Sequence, residues 1–201
     1  MILNIESPVN KEKLEALRIA RLVSRAQDGE TEAFGVLYEE HEGRVFRYVF
    51  ARTGQVEQAE DLTQEVFVRA FHGIRSYRDR GMPFSSWLLR IAHNLVIDHY
   101  RWVTKHRSVE LADVQLASDE DPVAEVEKKA EIRRILEAVP NLTPGQREVI
   151  SLRFGAGLHL AEAAAVMGKS IGAVKMLQHQ AVTRLKRILE TGNDDEHTRG
   201  H

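Results

Sequence analysis

Apolar residues recur every three or four positions along most of this chain, and nowhere do they alternate with polar ones as a half-buried strand requires. The pattern predicts an all-α protein. A short helix spans Glu15 to Ala26 and stops at the turn Asp28-Gly29. Thr31 is placed to cap the next helix, which buries Phe34, Leu37, Tyr38, Val45, Tyr48 and Val49 and ends near Gly54. The third helix, AEDLTQEVFVRAF from Ala59 to Phe71, carries a stripe of Val56, Ala59, Leu62, Val66 and Ala70, widened by Phe67, Phe71 and Ile74. A loop, SYRDRGMP, follows. The fourth helix, FSSWLLRIAHNLVIDHYRW, turns Trp87, Leu88, Ile91 and Leu95 inward, with Val96 at the edge of the stripe.

Periodicity then lapses from about Val103 to Pro122, a tract rich in Asp, Glu and Ser. It is long for a loop inside one compact domain and reads as a linker between two. Beyond it, Val123 to Ala138 is helical in pattern. Thr143-Pro144-Gly145-Gln146 is a strong helix start, with Thr143 as cap, Pro144 in the first turn and Gln146 completing a capping box. That helix runs to about Phe154, where Gly155 and Gly157 break it. Two more follow, Leu160 to Met167 and Ile171 to about Leu189, ahead of a polar tail expected to be disordered. The predicted organisation is therefore two small helical domains, residues 15–103 and 123–190, joined by a flexible acidic linker over 104–122, with a tail over 191–201.

The last two helices have a helix-turn-helix layout. Leu160, Ala163, Ala164 and Met167 face the core, Gly168 allows a left-handed turn, and Ser170 can cap the second helix. Val174, Leu177, Ala181, Leu185 and Ile188 keep that helix on the core. Its other face shows Ala173, Lys175, Met176, His179 and Gln180, with Lys169 in the turn. Small residues at its start, Gly172 and Ala173, permit close approach to a duplex. The helix amino terminus and Lys175 suit phosphates, and the middle residues suit base edges in the major groove. A plain helical hairpin would explain the apolar positions, but not the agreement of turn, cap, small residues and basic end.

Composition adds bounds. With 201 residues, 43% hydrophobic and 29% charged, the chain is an ordinary globular one. There is no cysteine, which excludes disulfides and thiolate metal sites. No apolar run approaches the roughly 20 residues that cross a bilayer, and the start has no signal-peptide core, so a cytoplasmic protein is expected. The net charge of −2 hides a pattern. Met1 to Phe67 holds 8 basic and 13 acidic residues, whereas Val68 to Arg107 holds 8 basic residues against Asp79 and Asp98 alone. Ser108 to Glu131 holds 8 acids against Lys128 and Lys129, and Pro140 to Glu190 holds 7 basic and 3 acidic residues. Two basic segments separated by an acidic one suggest two anionic contacts and a linker that avoids them; random clustering is the competing explanation.

Between Arg75 and Arg101 lie Tyr77, Phe84, Trp87 and Tyr100 together with Arg75, Arg78, Arg80, Arg90 and Arg101. Aromatic faces stack on unpaired bases and arginines hold phosphates. A loop with Gly81 and Pro83 can form a pocket for a base taken out of the stack, and Asn94 can read a base edge. Trp87 is expected to anchor its helix in the core, whereas Tyr77 lies outside any stripe and is expected to serve binding. His93, His99 and His106 stand six and seven residues apart with no glutamate in a zinc-helix position, and no glycine-rich phosphate loop exists. No metal, cofactor or catalytic residue is therefore assigned.

Taken together, AEDLTQEVFVRAF, SYRDRGMPFSSWLLRIAHNLVIDHYR, LTPGQREVISLRF and the terminal helix-turn-helix resemble the bacterial sigma-70 family of RNA polymerase sigma factors, of the extracytoplasmic-function (ECF) type. The resemblance covers about Gln27 to Leu189, and it is the order and spacing of the blocks that make it specific. It implies two helical domains on a flexible linker and no enzymatic activity. It implies that Asp61, Gln64 and Glu65, with Leu62 and Arg69, dock on the clamp helices of the largest subunit of core RNA polymerase. It implies that Tyr77, Arg78, Arg90, Asn94, Asp98 and Arg101 contact the minus-ten promoter element as an open strand, Tyr77 lying against an extruded base. Lys169, Ser170, Ala173, Lys175, Met176, His179 and Gln180 would read the minus-thirty-five element, and the acidic linker would thread the polymerase channels as a nucleic-acid mimic. An anti-sigma factor is a further candidate partner. Two departures bear on base contacts. Met176-Leu177 stands where many members carry a Ser-Arg pair, and Gln180 where an arginine is frequent, which implies fewer phosphate contacts. The rival readings are a stand-alone helix-turn-helix regulator, against which the Asp61-Gln64-Glu65 face counts, and a small hydrolase built on His93, His99 and Asp98.

Overall fold

The computed structural model describes residues 8–79, 82–106, 134–135 and 137–198, and no strand occurs among them. The first half comprises α1 (Pro8–Gln27), α2 (Thr31–Thr53), α3 (Val56–Gly73), a 3-10 turn at Ile74–Ser76 and α4 (Phe84–His106). The second comprises a 3-10 turn at Val139–Asn141, α5 (Pro144–Ile150), a π-turn at Ser151–Gly155, α6 (Leu160–Met167) and α7 (Ile171–Thr198).

Local chemistry sets most boundaries where the pattern puts them. Gly54 ends α2 in the left-handed conformation, its N–H donating to the carbonyl of Phe50. The predicted capping box forms at α5: Gln146 N–H donates to Thr143 Oγ1 at 3.4 Å and Thr143 N–H donates to Gln146 Oε1 at 3.1 Å. Several boundaries differ. The first helix begins at Pro8 rather than Glu15, because its first turns carry exposed Leu14 and Leu17 and add no stripe to the core. Glu30, not Thr31, holds the N-cap of α2, and no side chain bonds there. The fourth helix runs to His106, three residues into the predicted linker. The last helix continues to Thr198, through most of the expected tail. The rest of the linker, 107–122, and most of the helix predicted at 123–138 lie outside the described residues.

In the first half, α2 is the central element, packing on α1, α3 and α4. Leu37, Val45, Tyr48 and Val49 are buried to within 1% exposure, as are Val66, Leu88 and Val96 facing them. Tyr38 and Phe71 depart from expectation: both sit at the rim, in edge contact with Phe67 at 4.7 Å and Phe34 at 5.1 Å. In the second half α5 packs on α7, with Leu177 lying over Gly145.

The halves do not stand apart. The π-turn packs on α2 and α6 packs on α4. The backbones come close at Gly155: a Cβ there would lie 3.3 Å from the carbonyl oxygen of Arg47. Arg47 Nε also donates to the carbonyl of Gly155 at 3.3 Å.

Candidate nucleic-acid interface

The helix-turn-helix forms as a capped, rigid unit. His159 N–H donates to Glu162 Oε2 at 2.7 Å at the start of α6. Gly168, at φ 61°, makes the turn, and Lys169 N–H reaches back to the carbonyl of Ala164 at 3.0 Å. Ser170 Oγ then accepts from Ala173 N–H at 3.2 Å, the expected cap. Val174, Ala181 and Leu185 bury one side of α7. Lys169, Ser170, Ala173, Lys175, Met176, His179 and Gln180 are all exposed, so the seven residues form one continuous outer surface. Thr183, Arg184 and Arg187 extend it at helical spacing and, with Asn141, His179 and Gln180, line a concavity of about 780 Å³. The two arginines were not singled out from sequence. Their spacing from Gln180, four and seven residues, is the signal that would have found them.

On α4, Arg90, Asn94, Asp98 and Arg101 are exposed and share one face, since they lie four, four and three residues apart. Asp98 and Arg101 form a surface pair at 3.5 Å. His93 points the other way, into the protein. The residues of the hydrolase reading are therefore not brought together, and among the described residues no His, Asp and Glu cluster could hold a metal.

The loop corrects one expectation. Tyr77 is not an outward ring but a core residue, 7% exposed. It meets Phe84 edge-on at 5.6 Å and Trp87 at 5.1 Å, and its hydroxyl donates to the carbonyl of Met82 at 2.9 Å. Burial, and secondarily the charge of Asp79, pushes this phenol up to about 12. The aromatic trio buries itself, and no periodic stripe could foretell that. Arg78 stays on the surface but turns back, its guanidinium donating to the carbonyls of Arg75 and Tyr77 at 2.7 Å each. Trp87 is half-buried in the trio, as expected.

The outer face of α3 presents Glu60, Asp61 and Gln64, with Glu65 paired to Arg69 at 2.7 Å. Leu62 turns inward and packs against the core. The apolar residue on the outer face is instead Val68, 51% exposed, one turn beyond Gln64.

A polar cluster joins the halves. Glu148 of α5 is 4% exposed and accepts hydrogen bonds from Tyr48 Oη at 2.7 Å and from the guanidinium of Arg52, and it lies 2.9 Å from His93 Nδ1. Burial pushes the Glu148 carboxyl up, but the hydrogen bond to His93, the charge of Arg52 and the Tyr48 hydroxyl together outweigh it and hold the group below its ordinary value. Tyr100 Oη donates to the carbonyl of Arg52, so α4 braces the same residue.

A capped helix-turn-helix joined to a second all-helical half defines an all-α protein of the DNA-binding class. Sigma-70 region 2 matches residues 37–105, and Sigma-70, region 4 matches residues 138–187. The ECF RNA polymerase sigma factor BldN of Streptomyces coelicolor is 42% identical over 181 residues, which span 87% of this chain and 67% of that protein. SigD of Mycobacterium tuberculosis, also an ECF RNA polymerase sigma factor, is 32% identical over 187 residues, 90% of this chain and 88% of that one. Among solved structures, CnrH in complex with the cytosolic domain of CnrY superposes with a TM-score of 0.66 at 29% identity, covering 88% of this chain and 98% of CnrH. The chain belongs to the sigma-70 family and is an RNA polymerase sigma factor of the ECF type. No helix among the described residues is long and apolar enough to cross a membrane.

Proposed function

We propose that this sigma factor docks on the clamp helices of core RNA polymerase through Asp61, Gln64, Glu65 and Val68, and that its two halves divide promoter recognition. The exposed face of α7 reads the minus-thirty-five element as duplex. The arginine-bearing loop and the Arg90–Asn94–Asp98–Arg101 face of α4 hold the minus-ten element as a separated strand. Binding only the open form is what favours opening, and no residue performs covalent chemistry. The protein acts in the cytoplasm, where the polymerase is, and an anti-sigma factor is a partner suited to mask these surfaces.

The observation that carries this reading is the outward surface of Lys169, Ser170, Ala173, Lys175, Met176, His179 and Gln180 on a helix whose amino terminus is capped and preceded by a left-handed glycine. It presents a helix end and cations to phosphates and polar side chains to base edges. The reading has a mechanical consequence. The two elements lie about 25 base pairs apart, roughly 85 Å of duplex. The halves in contact around Glu148 cannot span that, so promoter engagement separates them.

The test is run-off transcription with core RNA polymerase and genomic fragments, comparing the wild-type chain with the double variant Asp61→Arg, Glu65→Arg. Defined transcripts from the wild type and none from a folded double variant support the reading. No specific transcript and no binding to core polymerase overturn it in favour of a regulator that binds duplex DNA unaided.

A further inference from the structure

We infer that Gln27, the last residue of α1, is a positioning residue for the strand-capturing loop. It lies outside residues 37–105 matched to Sigma-70 region 2, and the inference rests on the loop's proposed part in holding the minus-ten strand.

The geometry is specific. Gln27 Nε2 donates two hydrogen bonds, to the carbonyl oxygens of Ile74 and of Tyr77, each at 2.9 Å. These carbonyls bracket the 3-10 turn that launches the loop, and Tyr77 N–H closes the same turn onto Ile74 at 3.0 Å. One amide group thus spends both of its donors on fixing where the loop begins. Among its described residues further contacts follow: Tyr77 Oη holds Met82, Arg78 holds Arg75 and Tyr77, and the Tyr77 ring leans on Phe84 and Trp87. Burial of Ile74 and Tyr77 anchors that scaffold through apolar packing, and Gln27 adds a directional polar anchor to α1 across about 50 residues of chain.

Packing on the α1 side is incomplete. An open cleft of about 710 Å³ lies between Ile19 and Val23 of α1, His41 of α2, and Tyr77, Pro83 and Phe84. Well-packed elements hold one another by close contact; where a solvent-filled cleft intervenes, fewer such contacts are made. The loop can therefore tilt toward α1 if the Gln27 bonds are lost. Arg75 and Arg78, which flank the bracketed carbonyls and reach solvent, would turn with it.

Gln27→Glu keeps the size of the side chain, removes both donors and sets a carboxylate against two carbonyl oxygens. Gln27→Met keeps the length with no polar group, and serves if the charged variant fails to fold. Each full-length variant is loaded on core polymerase and compared with wild type for three affinities: core polymerase, a duplex minus-thirty-five fragment, and the single-stranded minus-ten oligonucleotide of a promoter mapped by run-off transcription. Loss of two hydrogen bonds predicts a fall of about tenfold for the single strand, with the other two affinities within about twofold. Amide exchange at residues 75–79 is expected to quicken in the free protein. A role confined to fold stability would instead lower all three affinities with the thermal midpoint. Strand affinity unchanged in both folded variants overturns the inference while the sigma reading stands. A wild type that binds core polymerase but shows no preference for the single strand overturns the inference together with the loop's proposed role.

Discussion

Arg52 and Glu148 stand 96 residues apart in sequence and form an ion pair buried at the contact between the two halves, their side chains 7% and 5% exposed. Glu148 also takes Tyr48 and His93 as partners, so a single carboxylate of the second half answers three donors of the first. Removing one member strands the others in a low-dielectric site, which costs about 3–5 kcal/mol. Glu148→Ala is therefore expected to part the halves before either unfolds. Small-angle scattering should show a larger radius of gyration, with helical content in circular dichroism retained. An unchanged radius would show that apolar contacts between α4 and α6 suffice alone.

Acid should act on the interior of this protein through two buried groups in different ranges. His41 lies against Phe84 with its ring centroid 5.5 Å away, and its Nε2 is buried without a hydrogen-bond partner. Burial first and the charge of Arg44 second lower its value from 6.5 to about 4, although Glu40 and Glu15 pull the other way. The unfolded chain thus takes up this proton at a higher pH than the folded one. The resulting stability is complete above 6.5 and is lost as pH falls from 6.5 to 4. Glu148, held below its ordinary value of 4.5, contributes stability that is lost only below that point. Urea midpoints measured against pH should fall in both ranges, and His41→Gln should flatten the upper one while leaving the lower.

The contrast between Thr143 and Tyr77 shows what was legible in the sequence. The capping box, the Gly168 turn and the Ser170 cap depend on residues close to one another in sequence, and each formed where the pattern put it. Tyr77 has no periodic neighbours, and its burial depends on a loop folding back so that Phe84 and Trp87 cover it. Glu148 is subtler still. Its position in α5 reads as a surface acid, and only the approach of α2 and α4 from the other half makes it interior. Local chemistry fixes elements, whereas long-range polar partners become visible only once the chain is assembled.

Lys175 and Arg187 lie on the same helix, one on the expected recognition surface and one on its basic extension. If both neutralise phosphates, each alanine variant should lower duplex affinity for all sequences alike and reduce the slope of log K against log salt by about 0.9. Met176→Ala, with a side chain 63% exposed and no charge, should leave the slope alone and change only the ranking of minus-thirty-five sequences. Titrations at four or five salt concentrations separate the two behaviours. An Arg187→Ala slope equal to wild type would place the DNA on the amino-terminal half of α7 alone.

Leu62 and Val68 are six residues apart on α3 and lie on different faces, one half-buried and one exposed, which separates folding from docking. Leu62 packs on the core, so Leu62→Ala should cost about 2 kcal/mol of stability, near the low end for a truncated core leucine, because the site is only half-buried. Its affinity for core polymerase, measured well below the melting temperature, should stay close to wild type. Val68 is 51% exposed, so Val68→Asp should leave the urea midpoint nearly unchanged. In a docked complex that aspartate would be desolvated without a partner, and affinity should fall by tenfold or more. Both variants can be read in one experiment, by competition with wild type for core polymerase alongside chemical denaturation. If Leu62→Ala loses binding and Val68→Asp does not, the contact lies elsewhere on the domain and Asp61, Gln64 and Glu65 are ordinary solvated residues.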